Sequence, residues 1–464
     1  MKKYILFLLA LFCISINAIA QVQPTDTDSD GYINISTLDH LRWVSENSGS
    51  WSSNFELDNN INAAATIVWN DSAGFSPIGN DATKFSGRFD GKGYFIDSLY
   101  INRPEADLNG LIGFSYYAVI LNVGITNCQI TGKARTGALA GHNEYSTIGY
   151  CYSTGNVFGN DESGGLVGEL IYSSMSNCFC STTVTGQDRV GGLSGVNMYW
   201  STVSNCYSTG IVYANVYVGG LIGYNFNNST IINCYSTDNV YGSNSRVGGL
   251  VGYNISDSKV INCYSTGGIT GGRYVGGLIG LNQYSSVSNS YSIGNVFGNE
   301  NVGGLVGLND EASVNNCFWD TITSGQTTSS GGTGKTTAEM KTKSTFTDVN
   351  WDFINVWAIA ADYNDGYPNL DGKNDPNGIK EIYSGSLIYP QPAMDEIFVR
   401  ISEATEESAN VKLYDQAGQL ALAIEATTND GLIRLNTSAL ASGVYRVLIN
   451  IDGKTYSEKV VVAK

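Results

Sequence analysis

The sequence predicts an all-β chain: a parallel β-solenoid with a short N-terminal cap helix, followed by a small C-terminal antiparallel β-sandwich. Three observations carry this. A Gly-Gly-Leu-x-Gly tag recurs with its leucine at Leu111, Leu139, Leu166, Leu193, Leu221, Leu250, Leu278 and Leu305, in steps of 28, 27, 27, 28, 29, 28 and 27 residues. No copy holds two glycine-free segments of helical length, and its Tyr, Val, Ile, Ser and Thr favour strands. Charged residues make up only 14% of the chain while glycines number 55, which suits short strands and tight turns better than a helical α/β enzyme. Coils stacked ~4.8 Å apart would make eight of them a rod of ~38 Å.

Taken in order, the elements begin with a leader. Lys2 and Lys3 precede an apolar run from Tyr4 to Ile16 and then Ala18-Ile19-Ala20, the pattern of a secretory signal peptide over residues 1–20. The run is short for a bilayer span, and no later stretch is long and apolar enough to make one. Residues 21–108 form a lead-in and cap. Within it, Asp26, Asp28 and Asp30 in "DTDSDG" match the start of a calcium loop. Thr37 stands where an EF-hand would place glutamate, so calcium and a plain acidic linker both stay open. Ser36 and Asp39 look like a capping box, and Leu38, Leu41 and Val44 share one helical face. A helix there would cover the open end of the first coil. "FSGRFDGKGYFIDSLYI" (residues 85–101) reads as strands around an Asp-Gly turn, an incomplete first coil.

The solenoid proper spans residues 109–320. Each copy carries a cysteine or its substitute: Cys128, Cys151, Cys178, Cys206, Cys234, Cys263, Ser290 and Cys317. Three residues earlier stands an apolar residue: Ile125, Ile148, Met175, Val203, Ile231, Val260, Val287 or Val314. Six residues later the apolar slot returns at Val157, Val184, Val212, Val240, Ile269 and Val296. The two phases clash by one residue, so a bend is expected just before the cysteine, where Asn is usual and tolerates unusual backbone angles. The cysteines then form an inward ladder. Parallel Cβ vectors suit buried free thiols better than disulfides, and Cys178 and Cys180 are the one local pair. A metal site is the remaining alternative. The following residues, Tyr152, Phe179, Tyr207, Tyr235, Tyr264, Tyr291 and Phe318, should face outward as an exposed aromatic row, with Gln129 in the first copy. That row is either a ligand-binding face or self-stacking that joins the coils.

Residues 321–384 close the solenoid. "SSGGTGKTT" lacks the first glycine of a phosphate-binding loop, Ser329 standing in its place. The aromatic segment 351–370 is expected to cap the far end. From 385 to 464, strand-like runs alternate with turns, which predicts the small sandwich.

Two resemblances attach to these residues. The repeats and "FSGRFDGKGYFIDSLYI" resemble the GLUG motif of bacterial surface proteins, with departures at Asn109, Ala138 and Ala140. That resemblance implies an adhesin-like surface protein. Tyr389-Pro390-Gln391-Pro392, Asp415-Gln416-Ala417-Gly418, Leu440 to Tyr445 and the end at Lys459–Lys464 resemble the type A C-terminal sorting domain of type IX secretion in the Bacteroidetes, with Gln391 where Asn is common. This resemblance implies handling by that secretion machinery, passage through the outer membrane, and surface anchoring or release.

A net charge of −17, from 25 Lys+Arg against 42 Asp+Glu, disfavours nucleic acid and anionic membranes as partners. The expectation is a secreted or surface-displayed, non-enzymatic protein binding glycans or proteins along a regular face. The alternatives are a polysaccharide-cleaving β-helix and a purely structural stalk. Only His40 and His142 are histidines; Glu144 stands near His142 without a nucleophile motif, and Asp161 and Glu162 sit at a turn. No cofactor other than calcium is expected.

Overall fold

The computed structural model describes residues 22–360 and 364–370, and in the tail 386–389, 396–401, 408–415, 419–427, 432–441, 443–451 and 454–462. The leader, and the sorting-domain residues 390–392, 416–418, 442 and 463–464, lie outside the described residues.

The repeat folds as a parallel β-solenoid because every coil turns at the same three places, each with one residue in the left-handed region. One stands just before the cysteine slot: Tyr150, Asn177, Asn205, Asn233, Asn262, Asn289 and Asn316 have φ between 49° and 55°. Asparagine dominates because its short polar side chain tolerates that conformation. This is the bend that the two apolar phases require. The other two left-handed rows begin at Leu108 and Tyr117.

Between the corners, strands of successive coils pair in parallel. The first sheet has eleven strands and runs from Ile33–Ile35 to Ser313–Asn315, so the lead-in contributes strands to the same stack. Its inward row is Ile120, Ile148, Met175, Val203, Ile231, Val260 and Val287, all fully buried. A long second sheet follows the cysteine slot, and a third sheet of eight strands runs from Ile112–Tyr116 to Val306–Asp310. The tag leucines fill the main core at 0% exposure. Val184, Val212, Val240, Ile269 and Val296 are buried in a second, narrower core with Val190, Val218, Val247 and Val275.

The irregular steps have local causes. Trp200, Asn228 and Asp257 are second left-handed residues inserted at the corner after the third sheet, adding one residue to each of those coils. A register shift between Ala214 and Val216, opposite Gly242 and Ser245, lengthens the Leu221 coil again and completes its step of 29. A shift opposite Ser153 and Gly155 lengthens the first coil. That shift corrects the first copy. Cys128 pairs with Gly155, and Ile120 rather than Ile125 aligns with Ile148, so the cysteine ladder starts at Cys151.

The ladder has a backbone role. Cys151, Cys178, Cys206, Cys234, Cys263 and Cys317 are free and buried. Each donates its S–H to the carbonyl two residues earlier, as Cys206 Sγ does to Ser204 O at 3.1 Å. Sγ in turn accepts the amide N–H of the cysteine one coil before it, at 3.4 Å from Cys151 to Cys178, Cys178 to Cys206 and Cys206 to Cys234. Ser290 plays both parts, to Ser288 O at 2.7 Å and from Cys263 N at 3.0 Å. The bend takes backbone groups out of the sheet ladder, and a small donor–acceptor side chain satisfies them. Burial pushes the thiols of Cys128 and Cys317 up to about 12, so they stay protonated. Cys180 is free and buried, its S–H donating to Gly192 O at 2.8 Å. Serines do the same work at the corner after the third sheet, where Ser173 N donates to Ser201 Oγ and Ser201 Oγ to Met198 O. Asn197, Asn225, Asn254, Asn282 and Asn309 form a ladder of amide bonds at 2.7–2.8 Å beside them.

Both ends of the stack are covered. Helix α1 (Leu38–Glu46) buries Leu41 and Val44 against the core. Its N-cap is Thr37, whose hydroxyl accepts from His40 N at 3.2 Å, one residue later than the Ser36 box read from the sequence. At the far end, Thr333–Lys335 of the glycine-rich "SSGGTGKTT" adds a last parallel strand on Phe318–Asp320. Helices α2 (Thr337–Met340) and α3 (Ser344–Thr347) follow, and Phe346, Trp351 and Trp357 pack on the last coils. The tail folds separately as antiparallel sheets of three and four strands, sharing a core that includes Val411, Leu413, Ile433, Leu435, Val447 and Ile449.

Candidate functional site

The aromatic row expected to face water exists as a continuous stack, covered at its far end and part-exposed in its middle. From Tyr152 through Phe179, Tyr207, Tyr235 and Tyr264 to Tyr291 the rings stack at 4.8–5.1 Å with planes within 8°. Tyr152, Tyr264, Tyr291 and Phe318 are buried, and Phe179, Tyr207 and Tyr235 are half-buried. The Tyr291 hydroxyl donates to Pro368 O, and Trp351 and Trp357 tilt onto its ring at 6.3 and 6.0 Å. The row points away from the main core, as alternation requires, and the closing segment uses it as a seat.

Exposed aromatics lie on other faces: Phe158, Tyr213, Tyr241 and Phe297 on the second sheet, and a longer run along the outside of the third sheet. At its trailing corner Tyr117, Tyr145, Tyr172 and Tyr199 stack at 4.9, 4.9 and 5.5 Å. Each holds φ near 50°, which turns the ring outward at the corner. Rings stacked face to face hide their faces and present edges and phenol hydroxyls, one set per coil. Trp200 follows, 67% exposed and with no ring partner among the described residues. Its indole face is therefore open. Beside this corner the outward strand positions Tyr116, Ile171, Met198, Phe226 and Ile255 form a half-buried apolar row, interrupted by Glu144. Farther along, the corner turns polar, and a shallow groove of about 770 Å³ is lined by Asn228, Asp257, Lys259, Tyr284 and Glu311 among others.

The leading edge of the same face is ionic at one end and aromatic at the other. Arg135, Glu162, Arg189, Tyr217, Arg246 and Tyr274 are the left-handed residues of successive coils there. Arg135 Nε lies 3.2 Å from Glu162 and 3.4 Å from Glu169, and Arg189 lies 3.3 Å from Glu162. Burial, then repulsion by Glu169, raises the Glu162 carboxyl above its ordinary range. His142 Nδ1 is 2.6 Å from Glu169 of the next coil, not paired with Glu144, and its ring meets Phe114 edge-on at 4.3 Å. Two coils beyond Arg189, the guanidinium of Arg246 lies over Tyr217, Tyr253 and Tyr274 at 5.0, 5.3 and 5.6 Å. Burial pushes the Tyr253 phenol up to about 12.

Asp26, Asp28 and Asp30 bring carboxylate oxygens within 4.8 Å of one another at the exposed start of the chain. The Asp26 carboxylate takes the N–H of Ser29 at 2.7 Å and of Gly31 at 3.0 Å, and Gly31 has φ +92°, so the loop folds around that side chain.

The sequence did hold a signal for the exposed face. Its copies "NEYS", "LIYS" and "NMYWS" place tyrosine directly after the tag strand, and Trp200 marks an inserted residue.

With this geometry in place, the comparisons with known proteins agree on class. The GLUG motif matches at residues 186–213, 214–241, 243–270 and 271–296. The secretion system C-terminal sorting domain matches residues 387–463. The chain carries a β-solenoid that includes four GLUG motifs, and it ends in a sorting domain of type IX secretion. It is similar to halomucin of Haloquadratum walsbyi, 36% identical over 133 residues, which is 27% of this chain and 1% of halomucin. It is also similar to a putative Gly-rich membrane protein of Evansella cellulosilytica, 36% identical over 74 residues, or 15% of this chain and 9% of that protein. The matches therefore span small parts of these relatives. The sorting domain implies handling by the type IX secretion machinery and export to the cell surface or release. No helix among the described residues is long and apolar enough to cross a membrane.

Proposed function

We propose that the exported solenoid is an adhesin-like binding protein that holds glycans on the outer face of the third sheet. The carrying observation is the stripe along one corner of consecutive coils in which Tyr117, Tyr145, Tyr172 and Trp200 are exposed and Tyr199 is half-buried. Stacked phenols offer a regular comb of hydroxyls for sugar hydroxyls, and Trp200 offers an open ring face for a pyranose. Repetition adds weak contacts into useful affinity. The paired state of His142, Glu169, Arg135 and Glu162 favours a structural ion network over a hydrolytic site. The cluster of Asp26, Asp28 and Asp30 is proposed to hold calcium, with its oxygens already gathered.

The test is binding of the mature chain to arrayed glycans and matrix proteins. Trp200→Ala should weaken glycan capture by about tenfold or more, the size of a hot-spot residue, with the fold intact by circular dichroism. Capture of no glycan, or capture indifferent to Trp200→Ala and Tyr172→Ala, overturns the proposal and leaves the stalk reading.

A further inference from the structure

On the leading edge of the same face one arginine, Arg246, has no direct ion partner among the described residues, and Asp188 acts on it only at longer range. The arginines of the leading edge are otherwise spoken for: Arg135 by Glu162 and Glu169, Arg189 by Glu162 and Asp188, and Arg273 by Glu300 at 3.1 Å. Arg246 makes no ion pair among the described residues. Its one printed side-chain bond is from Nη1 to Ser245 Oγ at 3.2 Å, and its Nε is buried without a partner. The guanidinium carbon lies over the rings of Tyr217, Tyr253 and Tyr274, which restrains the group and leaves its remaining Nη N–H groups as donors. A cation fixed in this way offers a local anion site, against the long-range repulsion that a chain of net charge −17 exerts on a polyanion.

We infer that the glycan bound on this face is an acidic one, and that Arg246 grips a sugar carboxylate in its guanidinium fork. A carboxylate presents two coplanar oxygens to parallel N–H donors, a bidentate fit that the ammonium of lysine lacks. The coil that contains Trp200 also contains Arg189, and Arg246 lies two coils further on, about 10 Å along the axis. A polysaccharide laid along the stack can reach both. Lys259 stands in the groove farther along the tyrosine corner, and selectivity for acid is assigned to Arg246 because its guanidinium is stacked on tyrosines and free of a direct ion pair among the described residues.

This inference rests on the glycan-binding reading, and the experiment separates the two. The mature full chain is titrated with polygalacturonate, alginate and hyaluronan, each beside its carboxyl-reduced neutral counterpart. At least one acidic polymer should bind about tenfold tighter than its neutral partner, the preference falling as salt is raised. Arg246→Met should remove the preference while leaving affinity for the neutral form. Arg246→Lys should restore only part of it. Melting temperatures of both variants confirm that the coils still stack. Equal binding of acidic and neutral forms, or a preference that survives Arg246→Met, overturns the acidic assignment while Trp200-dependent binding stands. Absence of binding to every polymer overturns both.

Discussion

One interior residue should make the solenoid's stability depend on pH. In the second sheet the register that places Ser236 against Ser208 and Ser265 puts Asp238 level with Gly210 and Gly267. Where those coils have glycine, this one buries a carboxyl completely. Three donors converge on it: the hydroxyls of Ser208 and Ser236 and the N–H of Gly210. They favour the charged form, but burial outweighs them and raises the carboxyl from 3.8 to about 6. A folded pKa above the unfolded one means that the native state binds the proton more tightly. The contribution to stability is then fully present below pH 3.8 and is lost as pH rises through about 6. The shift, 6 − 3.8 = 2.2, corresponds to ~3 kcal/mol at 1.36 kcal/mol per unit. Asp238→Asn keeps the shape and removes the titration. Urea unfolding of both chains between pH 4 and pH 8, followed by tryptophan fluorescence, reads the difference. The stability of the wild type relative to Asp238→Asn should fall by ~2.4 kcal/mol from pH 4 to pH 8, most of it between pH 4 and pH 6.5. A gap that is flat, or that moves in favour of the wild type as pH rises, refutes the reasoning.

Two further perturbations test the architecture and the loop. Cys206→Ser should cost less than about 1 kcal/mol, since Ser290 already fills the slot, whereas Cys206→Ala strands the N–H of Cys178 and should cost ~1–3 kcal/mol; denaturation midpoints measure both. If calcium sits on Asp26, Asp28 and Asp30, millimolar calcium should raise the melting temperature of the wild type over EDTA and leave Asp28→Asn unmoved; equal temperatures with and without calcium reject the site.

Much of the fold was legible because a solenoid repeats its instructions. The tag leucines, the valines six residues after the cysteine and the left-handed asparagines each occur often enough to show which slot faces inward. Reading failed where a coil departs from the repeat. Cys128 looks like a ladder member, but one extra residue moves it opposite Gly155, and a period cannot reveal an insertion inside itself. The tyrosines of the first-noticed row do point away from the main core. Whether water reaches them depends on residues such as Trp357 and Pro368, more than sixty positions away from Tyr291 in sequence.

By itself the sequence determined the parallel stack, the inward thiols, the bend before them and the separate tail, since alternation and backbone preference act over a few residues and each coil states them again. Only the tertiary structure decided which aromatics meet solvent, which carboxylate holds His142, and that Arg246 has a tyrosine bed and no direct ion pair among the described residues. Those are contacts between coils and across corners. Their partners lie about one coil away in sequence or much farther, at distances that local pattern does not encode.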